Sequence, residues 1–210
     1  MDKRFSIFDM DGTLVDSMIY WQRLAVEYLN SRGVSQVPPS VLDRIKPMTM
    51  AESAALFIRE FDLQGTPEAV ADEMNAMMDE HYRKDIPLKA GVRDYLHRLS
   101  EDGVRMCVAS ATAQPLMEAC LRRLGVREQF EFLLSCESVG AGKNRPDVYH
   151  AAAEKLGAPA QEIAVYEDAL YALKTAKDAG YYVVGVYDEC TKNHWNEIMQ
   201  LADEYICSWE

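Results

Sequence analysis

Short apolar runs alternate with amphipathic segments that stop at a glycine, and this pattern constrains the chain more than any other feature. The runs are Arg4–Asp9, Val104–Ala109, Phe132–Ser135, Ile163–Tyr166, Tyr181–Tyr187 and Glu204–Cys207. Helical spacing fills residues 89–102, 114–124, 147–157 and 169–179, with Gly103, Gly125, Gly157 and Gly180 at or near the four stops. Glycine takes the left-handed conformation that closes a helix at no steric cost, so these positions mark C-termini. Strands alternating with helices of this length predict βα units on a parallel sheet, an α/β fold. Ligands of such sheets sit at the carboxyl ends of the strands, so polar residues there are the candidate functional ones.

Residues 16–86 break the rhythm. They hold no strand pattern, but Trp21, Leu24, Ala25, Tyr28 and Leu29 fall at helical spacing, as do Met74, Met77, Met78 and Tyr82. Gly33, Pro38-Pro39 and Gly65-Thr-Pro67 punctuate the stretch. It reads as a helical domain inserted into the α/β core, with 1–15 and 87–210 forming the core and 16–86 the insert. The 22 Lys and Arg stand against 34 Asp and Glu, a formal charge of −12. That balance argues against a nucleic-acid or anionic-membrane surface, since both are bound by clustered basic residues. No run approaches the ~20 apolar residues of a membrane span. The five cysteines include no Cys-x-x-Cys pair, which suggests neither a zinc site nor a disulfide framework. A reduced, cytoplasmic protein is expected.

The first run leads directly into Asp9-Met-Asp-Gly-Thr-Leu-Val-Asp-Ser17. In extended geometry residues i and i+2 face the same way, so Asp9 and Asp11 are expected to project together, with Gly12 permitting a sharp turn. Two carboxylates held together need a cation or a shared proton. Later runs end in further polar residues. Ser110 closes the second, where it is either an anion-binding hydroxyl or an ordinary helix-cap serine. Lys143 stands in Gly140-Ala-Gly-Lys-Asn-Arg-Pro-Asp147. A P-loop would need Gly at position 137 and Ser or Thr at 144, where Glu137 and Asn144 stand. Glu167 and Asp168 follow the fourth run, and Asp168 has the alternative of capping the next helix.

Paired Asp, hydroxyl, Lys and acidic pair, each at the end of its own strand, resemble the four motifs of the haloacid dehalogenase-like hydrolases. The Gly-Thr-Leu-Val-Asp-Ser continuation is similar to the helical-cap branch that includes β-phosphoglucomutase and phosphoglycolate phosphatase. Asn144 and Ala169 depart from the usual Pro and Ser. The resemblance implies a Rossmann-like core with a helical cap, and a phosphatase acting on a small phosphorylated metabolite. It assigns Asp9 as nucleophile, Asp11 as general acid and base, and Lys143 as the neutralising cation. Asp9, Asp168, the Asp11 backbone carbonyl and Glu167, directly or through water, would hold Mg²⁺, whose preference for hard oxygen ligands suits four carboxylates around one point. Ser110, the backbone amide of Ala111, Lys143 and Gln114 would bind the phosphate.

The same motifs serve phosphosugar mutases, so a mutase is the nearest alternative. Such mutases carry a cap His shortly after the Asp-[Ser/Thr] pair and an Arg in the cap's substrate loop. Trp21 occupies the first place here, and Lys46-Pro-Met-Thr-Met50 the second. Trp21, Met48 and Met50 are the expected contacts to the leaving group, the Met74/Met77/Met78 stripe being cap core. A non-catalytic phosphate-binding protein would be expected to have lost Asp9, Asp11 or Lys143, and all three are present.

Overall fold

The computed structural model describes residues 3–45, 48 and 50–209, apart from the side chain of Asp43. Two compact units emerge, one of Met1–Met18 with Ile86–Glu210 and one of Ile19–Asp85.

The first unit is the α/β one. Its strands are β1 (Phe5–Phe8), β2 (Arg105–Ser110), β3 (Leu133–Ser135), β4 (Ile163–Glu167), β5 (Tyr182–Val186) and β6 (Glu204–Ile206). They form one sheet in the order β3-β2-β1-β4-β5-β6, and every pair is parallel. Helices must then cover both faces, which is why the strands read as nearly continuous apolar runs. Along β1, Ile7 joins a cluster with Val148, Tyr149 and Ala152 of one helix and Leu173 and Ala176 of another. Phe8 points the opposite way and stacks on Tyr166, ring centroids 4.2 Å apart. The chain crosses the middle of the sheet between β1 and β4, whose connections leave in opposite directions, and this creates the crevice in which such sheets bind ligands.

The second unit holds α1 (Met18–Ser31, from Ile19 onward), α2 (Pro39–Ile45), α3 (Met50–Phe61) and α4 (Pro67–Lys84). Thr66 caps α4 by accepting the Ala69 N–H at 3.2 Å, with Pro67 in the first helical position. The apolar stripe Met74, Met78 and Tyr82 is buried, as are Leu24, Ala25, Tyr28 and Leu29 of α1 and Phe57 of α3.

The remaining helices belong to the α/β unit: α5 (Val92–Glu101), α6 (Gln114–Arg123), α7 (Cys136–Val139), α8 (Asp147–Leu156), α9 (Leu170–Asp178) and α10 (Trp195–Leu201). Gly103, Gly125, Gly157 and Gly180 all have φ between 67° and 87°, as the helix stops require. Sequence spacing gave no sign of α7 or α10. α7 is one turn capped by Ser135, whose side chain accepts the Glu137 N–H. α10 packs against β5 at Gly185, where a Cβ would lie 2.4 Å from Ile198 Cγ2. Among the described residues no helix is long and apolar enough to cross a membrane.

Candidate active site

The register of the sheet brings the polar motifs together. Phe8 lies opposite Tyr166 of β4 and Val108 of β2, so Asp9 emerges beside Glu167, and the Asp9 N–H donates to the Tyr166 carbonyl at 3.0 Å. One carboxylate oxygen from each of Asp9, Glu167 and Asp168 lies within 4.8 Å of the others, and all three residues are buried. Lys143 enters from the loop after α7. Its ammonium donates to Asp9 Oδ1 and, at 2.6 Å, to Glu167 Oε1, which also accepts the Tyr149 hydroxyl at 2.7 Å.

Charge is unbalanced here. Burial raises the Asp9 carboxyl well above the usual carboxylate range; Lys143 pulls it down, and Glu167, Asp168 and Asp11 push it up. Burial works against the Lys143 ammonium too, but Asp9 and Glu167 outweigh it and hold that amine above its ordinary value. Asp168 is pushed up to about 8, chiefly by burial and then by Glu167 and Asp188, with Lys89 and Lys143 opposing. The Thr13 hydroxyl reaches it at only 3.4 Å. Three buried carboxylates against one ammonium are the donor set of a hard divalent cation, and the residues fit Mg²⁺. Gly12 lets the backbone pass this close: its φ is +80°, and a Cβ would lie 2.6 Å from Asp168 Oδ2.

Asp11 takes a different position from the one its spacing suggests. β1 ends at Phe8, and Asp11 lies beyond it in an isolated bridge with Val15, so strand alternation no longer aims its side chain. The expectation of four carboxylates around one point is therefore corrected to three. The Asp11 carboxylate accepts the hydroxyls of Ser17 at 2.6 Å, Thr112 at 2.6 Å and Ser110 at 3.3 Å. Ser110 Oγ in turn accepts the Thr112 N–H at 3.1 Å.

A family model for haloacid dehalogenase-like hydrolases matches residues 6–186. The chain belongs to this family. Among relatives of this hydrolase, hexitol phosphatase B of Escherichia coli is 27% identical over 175 residues, covering 83% of this chain and 79% of the relative. The crystal structure of CbbY from Rhodobacter sphaeroides in complex with phosphate superposes with a TM-score of 0.80 at 25% identity, covering 99% of this chain and 95% of that one. The β-phosphoglucomutase of Clostridium difficile shares the fold, with a TM-score of 0.74 at 18% identity over 99% and 92% of the two chains.

Of the remaining residues expected in the hydrolase site, Ala111 and Gln114 are exposed around the start of α6. Asp168 does not cap α9; Ala169 holds that place. Trp21 and Met50 lie in the helical unit, where the Trp21 indole N–H donates to the Tyr82 hydroxyl at 3.0 Å. Met48 is described, while Lys46, Pro47 and Thr49 of the same loop lie outside the described residues. The sequence reading missed Thr112 and Tyr149. A second hydroxyl two residues after Ser110 was the signal for the first; Tyr149 looks like any core aromatic of a helix.

Proposed function

We propose that this chain is a Mg²⁺-dependent phosphatase that hydrolyses a small phosphomonoester of the phosphorylated-carbohydrate class through an aspartyl-phosphate on Asp9. Phosphoric monoester hydrolysis is the reaction that family membership and the names of its relatives support. The observation that carries the mechanism is the separate housing of the two aspartates. Asp9 is buried against an ammonium, while the Asp11 carboxylate accepts the hydroxyls of Ser17, Thr112 and Ser110. One carboxylate is set up as a nucleophile and the other as a proton carrier.

Asp9, Asp168, Glu167 and the Asp11 backbone carbonyl would hold Mg²⁺, which when bound supplies positive charge for the phosphoryl oxygens. Lys143 adds a fixed ammonium that spares Asp9 the repulsion of an incoming anion. An Asp9 oxygen attacks phosphorus, the ester P–O bond breaks, and Asp11 gives its proton to the leaving alkoxide. Asp11 then takes a proton from water as that water attacks phosphorus, which frees phosphate and restores both carboxyl groups. Ser110 and Thr112 keep Asp11 oriented throughout, and Ser110 with the Ala111 amide and Gln114 line the approach of the phosphate. In the helical unit Trp21 and Met50 offer apolar contact to the leaving group. Transfer to a second hydroxyl, as in a mutase, would need a cap base where Trp21 stands with its N–H engaged by Tyr82.

Phosphate release from a panel of sugar and polyol phosphates, with and without Mg²⁺ and beside Asp9→Asn, tests the reading. Mg²⁺-dependent release that disappears in the variant is expected. Release that persists in Asp9→Asn would remove Asp9 from the role.

A further inference from the structure

Asp168 lies within a loop of contacts that closes through a second ion pair. On one side the Thr13 hydroxyl stands 3.4 Å from its Oδ1, and a Cβ on Gly12 would lie 2.6 Å from its Oδ2. Leu14, next in that turn, accepts the Lys89 N–H at 3.0 Å. The Lys89 ammonium reaches the exit of β5, donating to Asp188 Oδ2 at 2.7 Å and to the Tyr187 carbonyl at 2.8 Å. β5 returns the path to β4: Gly185 lies opposite Glu167, so the residues that leave β5 come out beside Asp168.

Burying this pair does little for stability. The Lys89 and Asp188 side chains are 14% and 4% exposed. Charges withdrawn from water lose hydration that their attraction only partly returns, and an apolar pair of similar volume often serves the fold as well. Asp188 is also fixed from the other side, since its Oδ1 accepts the Cys190 N–H at 2.8 Å. Among the described residues neither side chain bonds to Asp9, Glu167 or Asp168, so the pair acts on the acidic group through its field. It does so in opposite senses: Asp188 pushes the Asp168 carboxyl up and Lys89 pulls it down.

A fixed anion and a fixed cation beside a divalent-cation site affect the ion in the same opposed way. Unmasked, Asp188 would add a fourth negative charge to the three carboxylates that face the ion. Lys143 is bonded to Asp9 and Glu167, which leaves Lys89 as the cation bonded to Asp188.

We propose that Lys89 and Asp188 are a tuning pair that sets the Mg²⁺ affinity of the acidic group, Asp188 drawing the ion and Lys89 offsetting it. The role presupposes the metal site of the proposed function, though not the aspartyl-phosphate.

Mg²⁺ is titrated against the ¹⁵N-labelled protein without substrate, at constant ionic strength, and followed on the Gly12 amide; the same spectra show that each variant is folded. Lys89→Gln unmasks Asp188 and should tighten Mg²⁺ roughly 5- to 30-fold, the effect of one charge on a divalent ion across a partly hydrated interior. Asp188→Asn leaves the ammonium unopposed and should weaken Mg²⁺ by a similar factor. The variant with both changes should return to within about threefold of the wild type, as opposed and roughly additive effects require. The step from Asp188→Asn to that double variant removes only the Lys89 charge and should itself tighten binding, so the test does not depend on Lys89→Gln folding. A merely structural pair would weaken Mg²⁺ in both single variants. That result, or single variants indistinguishable from the wild type, would overturn the tuning role while leaving the metal site intact. Asp168→Asn is the control for the site and should abolish the titration. A wild type that binds no Mg²⁺, or Asp168→Asn binding as well as the wild type, would overturn the metal site and the tuning role together.

Discussion

Replacing Lys143 with Met removes the ammonium bonded to both Asp9 and Glu167 while keeping the length of the side chain. At an effective dielectric of ~20, the 2.6 Å contact to Glu167 alone represents roughly 6 kcal/mol of attraction. The contact to Asp9 adds to it, and desolvation of the ammonium offsets much of the sum. Loss of one partner from a buried pair costs about 3–5 kcal/mol, because the remaining charges stay buried. In a domain of this size that corresponds to a fall in Tm of about 6–20 °C. The loss has a pH signature. Asp9 and Asp168 both titrate in the fold above their unfolded value, Asp168 at about 8. An acid whose folded pKa is raised destabilises the fold once the pH exceeds the unfolded value, and the penalty grows until the folded pKa is passed. Without Lys143 the folded pKa values of Asp9 and Asp168 climb further, so the deficit of the variant should widen as the pH rises from below to above the natural folded values, about 8 for Asp168. Thermal melts of both proteins in EDTA across that range measure it. A deficit under about 1 kcal/mol at the upper end, or one independent of pH, would refute the electrostatic reasoning.

Mg²⁺ must displace the proton that Asp168 holds below about pH 8, so Mg²⁺ affinity should rise as the pH climbs from 6 to 8 and level off above; thermal shift against Mg²⁺ concentration at each pH follows it. Thr112→Val deprives Asp11 of its 2.6 Å hydroxyl and should lower kcat roughly 10- to 100-fold with little change in KM, Thr112→Ser restoring most of it; steady-state kinetics decide this. Gly185→Ala forces a Cβ against Ile198 and should cost about 1–3 kcal/mol in urea unfolding. In thiol titration of the native protein near pH 8, exposed Cys207 should react first, Cys190 slowly because its thiol is pushed up to about 12, and Cys107 and Cys120 only on unfolding.

The sheet was legible because its strands are buried on both faces and its helices stop at glycines that must take positive φ. Burial on both faces left Met106–Ala109 and Ile163–Tyr166 as unbroken apolar runs. Boundaries were less legible. The helix read from residue 89 begins at Val92, because the Lys89 N–H is spent on the Leu14 carbonyl and Gly91 turns at φ 82°. The short helices α7 and α10 depend on a serine cap and on packing against Gly185, neither of which leaves a periodic trace. In the site, the residues that close strands could be read directly, because register aligns strand ends: Asp9 beside Glu167, Ser110 two positions past the pair of Phe8. The direction of Asp11 could not, since it lies past the strand, where hydroxyls 6, 99 and 101 positions away in the chain decide its orientation.

The central claim is that Asp9 carries the phosphoryl group. The most direct test is mass spectrometry of the protein quenched in acid during turnover of its best phosphomonoester, followed by borohydride reduction. One phosphoryl group is expected on the peptide holding Asp9, with reduction of residue 9 to homoserine and a higher trapped fraction in Asp11→Asn. Turnover that proceeds with residue 9 never phosphorylated, or a phosphoryl group found on another residue, would contradict it.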